Sequence, residues 1–395
     1  MDDRLNQTED LRNRVLGCMV GGAVGDALGY PVEFWGYGSI QSKYGAGGIT
    51  RYELAKNGKA LISDDTQMTL FTANGLLLGM TRAYTRGIMG RLDNYCRKTY
   101  VDWLRTQICS FRPKDVHTYS WLLDVPELYA KRAPGITCME SIKAIMDYRD
   151  PVNDSCGCGG VMRTAPVALL SYVHRYADGE QPYVDMVAAQ TARMTHKHPL
   201  GFMPSAVLNH LLMDILGGDV FGSERLACHV EKAAAALPEI ISEEDGNKPY
   251  GELWPKHVKR MQEIVRQALD LAHTDIPDIQ AIGQIGEGWT GHEALAIAIY
   301  SAVKHASSFE DAVVSAVNHS GDSDSTGAIC GNIMGCLLGR DRIPECYTKD
   351  LELIDVIEEM ATDLYTGCLI SEYDIDVTPE MDRWYSKYVD MKWAR

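Results

Sequence analysis

Residues 17–29 read GCMVGGAVGDALG, and residues 327–339 read GAICGNIMGCLLG. Gly17, Gly21, Gly25 and Gly29 fall four apart, as do Gly327, Gly331, Gly335 and Gly339. On an α-helix that spacing lines one side. Each internal glycine costs about 0.8–1 kcal/mol relative to alanine, so two such stripes require a compensating contact. Helices whose facing sides carry no side chains can bring their backbones together, and we expect these two to pair. A membrane-embedded pair is not the reading, because Asp26 and Asn332 interrupt the segments. Packed antiparallel, the end of the first helix meets the beginning of the second. Asp26 and Glu33 then approach Asp322 and Asp324.

The rest of the chain repeats the helical pattern. Apolar residues recur at three- and four-residue spacing in 11–28, 66–78, 166–173, 204–216, 258–271, 294–303 and 326–338. Alternating runs bounded by turn residues are hard to find, so the expected class is all-α. Connections rich in Gly, Pro and Asp are expected at 36–48, 150–160 and 243–251. No low-complexity linker and no fixed-period repeat divides the chain, so 1–395 reads as one domain.

Two polar runs each precede a helix: Ser63-Asp64-Asp65-Thr66, and Ser320-Gly321-Asp322-Ser323-Asp324-Ser325-Thr326-Gly327. Asp and Ser at such places commonly cap the helix by accepting from free N–H groups, and Asp64 with Gln67 has the spacing of a capping box. The second reading is metal binding. Hard divalent cations take several oxygen ligands, and four carboxylates with two hydroxyls on short loops are what a two-metal centre requires. Other motifs fail. An EF-hand beginning at Asp322 would need its bidentate Glu where Ile333 stands, and the zincin pattern begun by His292-Glu293 ends on Ala296. Cys156 and Cys158 lack the partners of a zinc site, Gly157-Cys158-Gly159-Gly160 follows no strand, and Gly58-Lys59 lacks the Walker hydroxyl.

The balance of 38 Lys+Arg against 54 Asp+Glu gives a net charge of −16, so a nucleic-acid-binding surface is not expected. Small partners are: metal ions and the ligands they carry. The polar start MDDRLNQTED has no signal-peptide form, and no apolar run is read as long enough to span a bilayer. Eleven scattered cysteines read as free thiols, and a cytoplasmic location is expected.

Taken in order, GCMVGGAVGDALGYPVEFW, SDDTQMTL, GCGGVMRTAPVAL, TARMTHKHP, GEGWTGHEALAIAIY and NHSGDSDSTGAICGNIMG resemble the ADP-ribosylglycohydrolase family over roughly 11–340, with 341–395 as a helical extension packed on it. The resemblance implies a single all-α orthogonal helical bundle with a binuclear centre of two Mg²⁺ or Mn²⁺ ions. The substrate it implies is an ADP-ribosylated protein or a small ADP-ribosyl compound. By motif position it implies metal ligands at Ser63, Asp64, Asp65, Asp322, Asp324 and Ser325, the two serines standing where many members carry threonine. Glu33 and Asp324 become the catalytic candidates, Glu33 by its place on a mobile loop at the scissile bond. Gly157, Gly159, Met162, Arg163 and His196 match segments that line the ADP-ribose. Cys158 replaces the asparagine common before that glycine pair.

Several of these residues have a plainer reading. Glu33 can be a solvated loop acid and His196 a structural histidine, as His198 is expected to be. Arg163 suits either a phosphate or a buried acid, and Trp289 with His292 suits core packing better than adenine stacking. Asp26 reads as support for the metal loops. Two further functions stay open: a two-metal hydrolase of another nucleotide-like substrate, and a silent crystallin-like relative that binds ADP-ribose or a protein.

Overall fold

A computed structural model describes residues 2–88, 90–112, 117–175, 181–218, 220–240 and 253–393. Among them helices account for the regular structure. Only isolated bridges, Ala60 with Leu351 and Gly157 with Thr290, stand in for strands. The helices that carry the argument are α1 (Asp2–Gly29), α2 (Asp64–Arg86), α3 (Leu92–Ile108), α4 (Pro199–Leu216), α5 (Gly291–Lys304), α6 (Ser323–Leu338), α7 (Ile354–Thr366) and α8 (Pro379–Tyr388).

α1 and α6 are antiparallel and in backbone contact. A methyl group at Gly25 would overlap the carbonyl oxygen of Gly327, one at Gly21 that of Gly331, and one at Gly17 that of Gly335. The reverse holds for Gly327, Gly331 and Gly335 against Gly25, Gly21 and Gly17. This seam is the arrangement the glycine spacing predicts, and it is further tied by Asn332, whose amide donates to the Cys18 carbonyl at 2.8 Å.

α2 runs beside the seam. Its N-terminus is capped by Ser63, which accepts from the Asp65 amide, and it ends at Gly87 in the left-handed region (φ 64°). Each periodic segment named above lies within a helix of the structure. α4 begins five residues before the expected Pro204, at Pro199, with the His198 ring accepting from the Leu200 amide as its cap. His198 is structural there. The expected connection 36–48 contains a helix, Tyr37–Tyr44. The expected connection 243–251 lies outside the described residues.

One expectation needs correcting. By length and apolarity alone Thr8–Val32 could cross a bilayer, with mean hydropathy 1.3, although the sequence was read as having no such run. That window is 83% buried inside the protein, which is the state of a core helix. The segment after Arg340 is helical and packs on the rest of the chain. α7 packs on α1 and α2, the Trp384 indole donates to Thr81 on α2 at 3.0 Å, and the core continues through Leu364 and Trp384 to Tyr388. The charge is unevenly spread: α2, α3 and the residue before α3 collect arginines and a lysine around one cavity.

Candidate metal and substrate site

Because α1 ends where α6 begins, four stretches of sequence meet at one place: Asp26 with Glu33, Ser63 to Thr66, Gly157 to Met162, and Ser320 to Ser325. Asp26, within the glycine stripe, is fully buried. Its carboxylate accepts from the amides of Ser63 at 3.0 Å and Thr66 at 3.1 Å, and from the Thr66 hydroxyl. It therefore holds the first turn of α2 from behind, as expected of a support residue. Opposite, Asp322 caps α6 by accepting from the Ser325 amide at 3.3 Å. Gly321, at φ 126°, lets the chain turn so that the Asp322 amide reaches the Glu287 carbonyl at 2.9 Å.

Capping and clustering therefore coexist. The α2 cap is Ser63, not Asp64, and the Gln67 side chain is engaged with Ala130, Trp103 and Gln107, so the capping-box spacing of Asp64 and Gln67 is not used as one. Asp64, whose Oδ2 accepts from the Gly135 amide at 3.4 Å, and Asp65 both feel the charge of Asp324, as does Asp322, and all four acids are buried. Oxygens of Glu33, Asp322 and Asp324 lie within 4.8 Å of one another. Glu33 Oε2 and Asp65 Oδ2 are buried without a hydrogen-bond partner among the described residues.

Such a gathering is electrostatically unfavourable by itself. Burial, then the charges of Asp324, Asp322 and Asp64, pushes the Glu33 carboxyl up to about 11. Burial and Asp324 push Asp26 up to about 7, against the hydrogen bonds it accepts. Asp64, Asp65 and Asp322 are raised by burial and then by Asp324. Orphaned carboxylate oxygens, two hydroxyls and mutual repulsion make a donor set that fits hard divalent cations. A checkable result follows. Each of these carboxyls holds its proton more tightly folded than unfolded. The cation-free protein therefore loses stability as pH rises from about 4, the unfolded carboxyl value, through about 7 for Asp26 and beyond for Glu33. Melting temperatures of chelated protein are expected to be higher at pH 5.5 than at pH 8, and added Mg²⁺ to raise them more at pH 8. A flat or opposite trend contradicts the arrangement.

The 157–163 segment closes one wall. The Cys158 thiol donates to Asp322 Oδ2 at 2.6 Å, so the thiol that replaces asparagine rests on an expected ligand. Met162 is buried with its sulfur 3.8 Å from the Ser325 hydroxyl. Arg163 pairs with no acid among the described residues. It is fully buried; its terminal nitrogens donate to the Gly159 carbonyl at 2.7 Å and the Thr195 hydroxyl at 2.6 Å over the Tyr100 ring, while its Nε is buried without a hydrogen-bond partner among the described residues. His196 is likewise under the turn. Burial and then Arg163 lower its ring to about 3, keeping it neutral, and it packs where side chains on Gly157 or Gly159 would stand. Both residues support the glycine turn from beneath: Gly159 is buried, Gly157 is half-buried, and the missing side chains of both make room for the His196 ring.

Sequence reasoning missed several supports. Asn318 clasps Ile49 in both directions at 2.7 and 2.9 Å, and Ser320 accepts from the Tyr37 amide at 2.9 Å, so the segment after Glu33 is tied to the α6 loop. Arg132 makes a two-pronged pair with Glu352 at 3.0 and 3.2 Å, while the Arg132 carbonyl accepts from the Asp64 amide. Phe34, beside Glu33, is 67% exposed in a left-handed conformation (φ 67°) and stacks on Trp289 at 5.2 Å. A bulky residue there costs roughly 1–3 kcal/mol, and the ring stack offsets part of it. Trp289 thus borders the site rather than the core. The paired Asn–backbone bonds and the stacked ring leave no periodic trace that could have exposed them.

The model of the ADP-ribosylglycohydrolase family matches residues 7–372. The chain belongs to that family. The match runs past Arg340, in keeping with the packing of α7 on α1. A relative is the ADP-ribosyl-[dinitrogen reductase] glycohydrolase of Rhodospirillum rubrum, 28% identical over 359 residues, covering 87% of this chain and 92% of that protein. ADP-ribosylhydrolase ARH1 of Dictyostelium discoideum is 23% identical, with 89% and 94% covered. A solved structure titled ADP-ribosylglycohydrolase-related protein complex superposes with a TM-score of 0.60 at 22% identity, covering 91% of this chain and 99% of its own. The all-α fold is the one this family uses.

Proposed function

We propose that this ADP-ribosylglycohydrolase-family chain hydrolyses the glycosidic bond joining ADP-ribose to a modified protein side chain or a small ADP-ribosyl compound, with two divalent cations, Mg²⁺ or Mn²⁺, at the carboxylate cluster. The observation that carries the reading is the meeting of Glu33, Asp322 and Asp324 oxygens within 4.8 Å, with Asp26, Asp64 and Asp65 close enough to feel the Asp324 charge and oxygens of Glu33 and Asp65 left unpartnered. Ser63, Asp64, Asp65, Asp322, Asp324 and Ser325 would hold the cations. Bound there, the cations would supply positive charge to grip the ribose diol and to offset charge that develops as the bond breaks.

The chain's own residues do the remaining work. Asp26 keeps the Ser63–Thr66 turn in place. The turn from Gly157 to Met162, supported from beneath by Arg163 and His196, would form the wall along which the ADP-ribose lies. Glu33, held beside Asp324 by the Phe34–Trp289 stack, moves a proton to or from the scissile bond. The eleven cysteines, all free, fit work in the reducing cytoplasm.

The test offers the purified chain arginine-linked and serine-linked ADP-ribosyl peptides, with Mg²⁺ and with excess chelator, and measures free ADP-ribose. Release from one linkage that stops with chelator supports the reading. A melting shift with Mg²⁺ and ADP-ribose but no release from either peptide would replace it with a binding role.

A further inference from the structure

A chain of net charge −16 nevertheless holds a cavity of about 860 Å³ with no acid among the described residues that line it. It opens between the C-terminal half of α2, the length of α3 and the segment at 145–148. Arg82 lies eighteen residues after Asp64 on α2, so this wall is about 27 Å from the carboxylate cluster by helical rise. The cavity is a separate place.

Five permanent cations face it. Three have counter-ions outside it: Arg91 with Asp93 at 2.9 Å, Arg97 with Asp150 at 3.4 Å, and Arg105 with Asp102 at 2.6 Å. Arg82 and Lys98 have no such carboxylate among the described residues. The Arg82 Nε is buried and makes no hydrogen bond. The Lys98 ammonium rests over the Tyr119 ring at 4.8 Å and the Tyr95 ring at 5.7 Å. Burial and the neighbouring Arg82 charge lower the Lys98 ammonium from its ordinary value. Two like charges held together without an anion are costly, and an anion between them removes that cost.

Aromatic surface accompanies the charge. Tyr95 is seated over Gly79 and Gly90, where a methyl would press on its ring or its hydroxyl. Tyr148, at the rim, is 99% exposed. The volume is that of a small-molecule pocket, commonly about 300–1,000 Å³. We propose that this cavity is a nucleotide site, with phosphate between Arg82 and Lys98 and the base against the rim tyrosine. Arg forks and Lys point charges suit phosphate, and a flat base suits an aromatic face.

The experiment titrates the full-length, Mg²⁺-containing protein with ADP, inorganic phosphate and adenosine by calorimetry. Compared are the wild type, Asp324→Asn, the double variant Arg82→Gln/Lys98→Gln, and Tyr148→Ala. We expect saturable ADP binding that Asp324→Asn retains and the double variant weakens at least tenfold, with ADP bound at least tenfold tighter than phosphate or adenosine. Tyr148→Ala, a fully exposed change, should weaken ADP several-fold and leave phosphate unchanged. The proposal falls if ADP does not bind saturably or if binding disappears in Asp324→Asn. It falls equally if the double variant matches the wild type, or if phosphate binds as tightly as ADP. None of these outcomes depends on whether the chain cleaves ADP-ribosyl peptides.

Discussion

Asp324→Asn is expected to lose ADP-ribose release by on the order of 10³-fold, the scale of removing a principal electrostatic contact from a reaction centre. It should also lose the rise in melting temperature that Mg²⁺ gives the wild type. Asp324 is singled out because its charge raises Asp26, Glu33, Asp64, Asp65 and Asp322 together. It is the hub of the repulsion that cations would neutralise. That position makes a second, opposite effect. Without cations, removing one buried charge relieves its neighbours, so chelated Asp324→Asn should melt no lower than chelated wild type. Thermal melts with and without Mg²⁺, alongside release assays, read both effects. A variant that keeps full turnover, or that melts well below wild type in chelator, contradicts the assignment.

Gly331→Ala is expected to cost about 3 kcal/mol, toward the upper end for overpacking. The added methyl would overlap the Gly21 carbonyl oxygen, which is backbone and cannot rotate away. The alanine's own helical preference, worth about 1 kcal/mol, works the other way and is overcome. Gly283, on the exposed side of the helix Asp278–Ile285, provides the contrast because nothing stands within 4 Å of a methyl there. Gly283→Ala should therefore stabilise by about 0.5–1 kcal/mol. Urea unfolding of both variants tests the sign as well as the size. Similar effects at the two positions would mean that the seam is looser than described. Forcing α1 and α6 apart also separates Asp26 from Asp324, so Gly331→Ala should need more Mg²⁺ to reach its full melting shift.

These two residues also show why part of the molecule was legible in advance. A glycine every fourth position has few physical uses in a buried helix, and the antiparallel pairing that follows from it placed Asp26 and Glu33 opposite Asp322 and Asp324. Acids before helices carried a weaker signal, since Ser63 and Asp322 do serve as caps as well as candidate ligands. What stayed hidden depends on long-range geometry. Arg163 is typical: its sequence neighbours could not show that its side chain would be buried, with its terminal nitrogens on Gly159 and Thr195. α3 went unnoticed because LDNYCRKTYVDWLRTQI mixes charge with its apolar positions, and those charges later form the basic cavity. Thr8–Val32 was underrated as an apolar run because glycine and alanine dilute the larger apolar residues.

The seam has a consequence for synthesis of the chain. Its two halves are separated by roughly three hundred residues, so α1 leaves the ribosome long before α6 exists to cover its bare glycine face. Until then α1 is a 28-residue helix with no partner for that side, a natural client for a chaperone. The reaction centre is therefore acquired late and in one step, when the last long-range pairing closes, and a chain stopped before residue 322 should carry no fraction of the activity.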